Sequence, residues 1–119
     1  MAGIGINVNQ QSFPQPLPNP VSIRQVTGKE ADLTEVYNKV CSAIEKRYLQ
    51  LKSGQAKDIR EDYLAALYRF NEYHFFEYGG QRFKAKIMGV DDDGKLVLEY
   101  GNGLTGRYDF KTIHYVLKP

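Results

Sequence analysis

Gly3, Gly5, Asn7 and Asn9 occupy every second position at the start of the chain, with Ile4 and Ile6 between them. On an extended backbone this places the glycines and asparagines on one face and the isoleucines on the other. Glycine leaves that face open to another backbone or a ligand. An asparagine amide offers donors and an acceptor together, which suits a nucleobase edge or a phosphate–sugar junction. A strand with packing glycines and an Asn-led turn uses the same residues, so these types alone leave both readings open.

Other groups that could do chemistry have plainer explanations. Asp91-Asp92-Asp93-Gly94 resembles the start of a calcium loop, but no Glu stands at the spacing that would close the coordination shell, and Asp-Gly suits a hairpin turn. No metal site is expected. Cys41 lies beside an apolar helical stripe without a nearby His and reads as a small core residue rather than a nucleophile. His74 and His114 have no acidic or thiol partners at ligand spacing and read as packing or surface residues. Arg82, Lys84 and Lys86 share one strand face; a solvated exterior is the default, and an acidic partner or nucleotide phosphates are the alternative.

The elements that must carry these residues can be read from periodicity. Residues 1–7 have the alternation of one strand. Gln10 to Pro20 holds four prolines in eleven residues, which removes amide donors, fixes φ and requires a surface loop. Asp32 and Glu35 have capping-box spacing, and Leu33, Val36, Val40, Ile44, Tyr48 and Leu51 form one apolar stripe, which predicts a helix ended by Gly54. Glu35 and Lys39 add an i,i+4 pair. A second helix is predicted over about 56–70, with Ile59, Tyr63, Leu67 and Phe70 on its buried row. A single strand cannot receive two amphipathic helices, because it lacks both ladder partners and an apolar face.

From about residue 72 the period falls to two. Phe83, Ala85 and Ile87, then Leu96 and Leu98, then Ile113, Tyr115 and Leu117 alternate with other residues, and Gly79-Gly80, Asp93-Gly94 and Gly101-Asn102-Gly103 mark turns. Five short strands of this kind predict a small SH3-like β-barrel. The fold class is therefore α+β, with domains expected at 1–70 and 71–119.

Composition excludes little beyond a membrane span. The 119 residues are 42% hydrophobic and 13% aromatic, enough for a core, and no apolar run approaches a bilayer-crossing length. Cys41 is the only cysteine, so no intrachain disulfide can form, and a reducing, cytoplasmic setting is expected, with no secretory leader pattern. The net charge of +2 is spread as +1 over 1–31, +1 over 32–70 and 0 over 71–119. A nucleic-acid module concentrates basic excess on one element, so no nucleic-acid contact is expected here.

The run GIGINVNQ, a Pro-rich loop ending LPNPVSI, the VTG of Val26 to Gly28, and the segment from LYRFNEYHFFEYGG through VDDDGKLVLEYGNG to FKTIHYVL together resemble the C-terminal part of bacterial biotin protein ligases. The resemblance covers nearly the whole chain. It implies that residues 1–70 are a remnant of the ligase catalytic domain and that the barrel is the ligase C-terminal domain. Family members are roughly twice this length or more and carry upstream an Arg-bearing glycine-rich loop and a Lys-Trp-Pro-Asn-Asp segment, which are absent from these residues. The resemblance thus implies a C-terminal fragment, inactive alone, of an ATP-dependent enzyme. That enzyme makes biotinyl-5′-AMP from biotin and ATP, with Mg2+, and passes biotin to a lysine of the biotin carboxyl carrier domain of acetyl-CoA carboxylase. A homodimer is one assembly it allows. By matching motif, Gly3, Gly5 and Asn7 lie beside the adenylate and the Pro-rich loop lies near the adenine. Some members bring an arginine near the chain end to the nucleotide; residues 113–117 hold none, which leaves Arg107 and Lys111 as the nearest cations. The competing reading is a non-catalytic SH3-like module that binds peptide or RNA.

Overall fold

A computed structural model describes residues 3–117, which divide into two compact units, one running to Gly54 and the other beginning at Gln55.

In the first unit the expected N-terminal strand does not form: residues 3–8 lie outside any β-ladder. The reason is the one that makes a lone strand untenable, since no described strand offers it a row of donors and acceptors. Its carbonyls instead serve a short helix that periodicity did not reveal, α1 (Ile23–Thr27). The amides at a helix start have no intrahelical acceptor. Here Ile23 N–H donates to the Asn7 carbonyl at 3.0 Å and Arg24 N–H to the Val8 carbonyl at 2.9 Å. The next amide, of Gln25, donates to the Ser22 hydroxyl at 3.2 Å, and the Gln25 side chain accepts from Ser22 N–H at 3.0 Å, completing a capping box. Gly28 closes α1 at φ 72°, a left-handed geometry that favours glycine.

The Pro-rich segment is a loop, as its prolines require. Its two ends are clipped together: the Ser22 hydroxyl, buried to 2% exposure, donates to the Gln10 carbonyl at 2.5 Å, and the Gln25 amide donates to the Gln11 carbonyl at 2.8 Å.

The long helix appears where the apolar stripe places it, as α2 (Leu33–Lys52). Asp32 caps it by accepting from Glu35 N–H at 2.9 Å, which is one half of the expected capping box. Lys39 and Glu35 pair at 2.6 Å. Gly54, at φ 83°, follows the helix end and donates to the Leu51 carbonyl. No residue of α2 is buried, and Leu33, Tyr37, Ile44, Tyr48 and Leu51 are each at least half exposed.

In the second unit α3 (Ala56–Ala66) stops four residues before the predicted end. Arg69 and Asn71 both take φ 59°, so residues 67–72 turn rather than continue the helix. That turn hands the chain to the sheet: Phe70 bridges to Ile87, and Asn71 N–H donates to the Ile87 carbonyl at 2.9 Å.

Five strands follow, β1 (Tyr73–Tyr78), β2 (Gln81–Val90), β3 (Leu96–Tyr100), β4 (Thr105–Tyr108) and β5 (His114–Tyr115). They form one antiparallel sheet in the order β4-β3-β2-β1-β5. The number of strands and the three turn regions agree with the alternation and the glycine signals. Closure does not: β4 and β5 lie at opposite ends of the sheet with no ladder between them, so the barrel expected from the sequence is an open sheet in the described residues. The buried core is Phe76, Ala85, Ile87, Leu96, Leu98 and Ile113, all at inward parity, with Phe83, Tyr100, Tyr108 and Tyr115 packed against it. At about 25 cal/mol per Å² of apolar surface, this cluster supplies the main drive for folding the unit.

The contact pattern groups α3 with the sheet, whereas the change of period at 71 marks where helix gives way to strand. Arg60 of α3 meets the end of β2 and the turn that follows: its guanidinium donates to the Val90 carbonyl at 2.7 Å and lies 3.4 Å from Asp92.

Candidate functional site

Gly5 and Asn7 line an open groove of about 420 Å³ with Val21, Ser22, Ile23, Val26 and Thr27 of α1 and its approach. A Cβ built on Gly3 or Gly5 would meet nothing within 4 Å, so no contact inside the described chain requires glycine there. Their open face is available for a close approach from outside. Asn7 is exposed, and its Nδ2 donates to the Val21 carbonyl at 3.3 Å. Its Oδ1 accepts no hydrogen bond among the described residues, so one acceptor is unspent.

Asn9 behaves differently. Its Nδ2 donates to the Ala31 carbonyl at 2.8 Å and its Oδ1 accepts from Ala31 N–H at 2.9 Å. Both ends of the amide are consumed by one backbone residue, which ties the N-terminal segment to the start of α2 and leaves nothing for a ligand. The alternating pattern therefore separates into one asparagine with free capacity and one that acts as a structural clip.

The opposite parity faces α2. Ile4, Ile6 and Val8 line a second open groove of about 350 Å³ with Val36, Val40 and Ile44. Cys41 lies on the same groove and is exposed, which corrects its expected place in a core. Nothing in the unit covers α2 deeply enough to bury its stripe, so a helix residue that reads as core by periodicity stays in solvent.

Arg107 is not a free cation. Its guanidinium reaches both Asp91, through Nε and a terminal nitrogen, and Asp93, at 3.2 Å. Asp91 also accepts from the amides of Asp93 and Lys95, each at 2.9 Å. These amides, led by that of Lys95 and joined by the Arg107 guanidinium, hold the Asp91 carboxyl below the usual aspartate range, against a smaller upward push from burial. The run that resembles a calcium loop is thus a β2–β3 hairpin turn whose first carboxylate is filled by two amides and an arginine. Among the described residues no cluster of three or more His, Cys, Asp or Glu side chains could hold a metal ion.

Lys111 lies in the turn before β5 rather than opening the last strand, and only its backbone amide is engaged, donating to Asp109 at 2.8 Å. Its ammonium has no ion pair among the described residues. His74 does have an acidic neighbour, Glu72 at 2.8 Å, although the sequence reading gave it none. His114 is exposed at the β5 edge.

Tyr100 and Tyr108 share a hydroxyl–hydroxyl hydrogen bond, and the Tyr108 phenol is pushed up to about 12, chiefly by burial and then by that bond. Phe83 packs 5.7 Å from both rings, so these tyrosines are parts of the sheet core rather than a stacking platform. The Ser22–Gln25 box was legible as Ser-x-x-Gln; the Asn9–Ala31 clip and the Arg107 fork join residues far apart in sequence and leave no local signal.

No protein-family model matches the chain. It is 33% identical over 115 residues to the bifunctional ligase/repressor BirA of Bacillus spizizenii and 32% identical to that of Bacillus subtilis, covering 89% of this chain in each case. The chain spans about a third of the length of those relatives, 34%. Its fold matches a crystal structure of biotin protein ligase from Aquifex aeolicus with a TM-score of 0.71 at 19% identity, over 93% of this chain and 50% of that one. It matches the same ligase in complex with biotin and ATP with a TM-score of 0.71 at 20% identity, over 48% of that chain. Curated relatives and structural neighbours that are biotin protein ligases both cover this chain, as they would cover the C-terminal portion of such a ligase.

Proposed function

We propose that this chain is the C-terminal part of a biotin protein ligase and that it contributes part of the nucleotide contacts in an enzyme that makes biotinyl-5′-AMP and passes biotin to a lysine of a carrier domain. The 33% identity to BirA across 89% of the chain carries this reading. The open glycine face beside Asn7 supports it, because close approach of a ligand backbone is the use of glycine that the described contacts leave unexplained.

In this reading Gly3 and Gly5 admit the adenylate to the groove wall and Asn7 gives it the free Oδ1, or its amide if the bond to Val21 is exchanged. An acyl-adenylate is a reactive mixed anhydride, so fixed donors and exclusion of water matter more than a general base in this segment. Arg107 and Lys111 are the cationic candidates of the second unit. The carboxylates around Arg107 assign it to the hairpin, so Lys111 is the better nucleotide contact of the two. Mg2+ would arrive with ATP and supply charge neutralisation to the phosphates.

The test is a chimera in which this chain replaces the corresponding C-terminal portion of Bacillus subtilis BirA. The expected result is biotin transfer to a carrier domain, with pyrophosphate released from biotin and ATP. A folded chimera, by circular dichroism, that binds ATP no better than the BirA portion lacking this segment would refute the proposal.

A further inference from the structure

Outward parity on β1 and β2 brings together Tyr73, Phe75, Arg82, Lys84, Lys86 and Met88. The register sets Lys86 opposite Tyr73, Lys84 opposite Phe75 and Arg82 opposite Glu77. Tyr73, Phe75 and Met88 are 44%, 41% and 41% exposed, more than a solvated sheet exterior needs to show of large apolar groups. The Arg82 guanidinium lies over the Phe75 ring at 4.5 Å and the Lys86 ammonium over Tyr73 at 5.4 Å, so each cation is held against an aromatic face. Lys86 is already neutralised by Glu99 at 3.1 Å. Arg82 and Lys84 have no ion pair among the described residues.

We infer that this face is a docking surface for an acidic segment of a partner protein, with carboxylates received by Arg82 and Lys84 and apolar contact made by Phe75 and Tyr73. Charge complementarity selects that occupant. Two cations without an ion pair, on a ring-lined strip, suit a few discrete carboxylates with side chains between them. A nucleic acid fits less well: with Lys86 held by Glu99 and Glu77 opposite Arg82, the strip offers too short a run of cations for a continuous phosphate backbone. The residues from Gln55 onward also hold ten basic and ten acidic side chains, which provides no general counterion-release drive. The inference does not depend on the ligase reading, since any acidic partner would use the same face.

The experiment is nuclear magnetic resonance mapping on the isotope-labelled chain with a glutamate-rich peptide as probe and a thymidine oligonucleotide of equal length as control. The peptide is expected to shift the amides of Phe75, Arg82 and Lys84, and the charge-reversed pair Arg82→Glu with Lys84→Glu is expected to weaken it roughly tenfold or more, with weakening also at high salt. Phe75→Leu, which keeps an apolar side chain, should weaken it less and report the loss of the stacked ring alone. Unchanged thermal unfolding shows that each variant folds; if the double reversal melts early, Arg82→Gln with Lys84→Gln replaces it. Peptide shifts elsewhere, equal binding by the variants, no peptide binding at all, or preferential binding of the oligonucleotide would each overturn the inference.

Discussion

At the scale of single residues, the two cations proposed for a nucleotide have become distinguishable because one of them is already occupied. Arg107 holds Asp91 and Asp93, so Arg107→Ala should destabilise the hairpin, less so at high salt, while Lys111→Ala should leave stability unchanged and weaken ATP binding in the chimera in a salt-dependent way. Titrating ATP into both variants at two ionic strengths checks this. Asp91 adds a pH signature. Its folded carboxyl titrates below the ordinary aspartate value, so its contribution is present above that value and is lost as pH falls through the folded one. The gap in melting temperature between wild type and Asp91→Asn should therefore be widest near neutrality and close toward acid. Tyr108 works in the other direction: its phenol is raised to about 12, so the protonated form is favoured by folding, and that contribution is present below about 10 and lost as pH rises toward 12. An ultraviolet titration should show a late-ionising tyrosine that disappears in Tyr108→Phe.

At the scale of elements, the sheet is held by a small inward set, and each member should cost as much as a core residue of a larger protein. Leu98 is fully buried on β3, and Leu98→Ala should destabilise the second unit by about 2–5 kcal/mol in urea unfolding. Gly106 on β4 is constrained differently. Its backbone is ordinary, but a Cβ would meet the Tyr100 hydroxyl and lie 2.8 Å from a ring carbon of Tyr108, and these rings are fixed by Phe83 and by each other. Gly106→Ala should cost about 1–3 kcal/mol through overpacking, and Tyr100→Phe in the same chain should recover part of it. The short helix α1 contributes little by length, since a helix of five residues cannot sustain itself in isolation; the three accepting groups of Asn7, Val8 and Ser22 make it possible.

At the scale of the whole molecule, the contact pattern divides the chain between Gly54 and Gln55, and the exposed residues 53–55 join α2 to α3. Limited proteolysis should cut there or at the tip of the Pro-rich loop before it cuts within β1–β3. The chain spans about a third of BirA and half of the Aquifex ligase. The chain alone is expected to release no pyrophosphate from biotin, ATP and Mg2+, because neither the glycine-rich Arg loop nor the Lys-Trp-Pro-Asn-Asp segment occurs in it. Sustained turnover by the pure chain would show that the adenylation chemistry lies within these residues after all.

Periodicity determined the elements whose cause is local. The stripe from Leu33 to Leu51 made α2, the alternation after residue 72 made five strands, and the Gly and Asp-Gly signals set their turns, because helix faces, pleats and positive φ are properties of neighbouring residues. Tertiary structure alone decided the rest. A strand exists only with a partner, so residues 3–8 became extended support for α1 instead of a ladder. A buried stripe exists only under a cover, so Cys41 and Ile44 remain in solvent. Arg107 is a cationic candidate through the resemblance and residue type leaves Asn9 open to a ligand or a turn, yet a carboxylate pair sixteen and fourteen residues away and a backbone twenty-two residues away claimed them. Whether a polar side chain is free to act is a property of what the fold brings within hydrogen-bond reach, and sequence spacing carries no record of that distance.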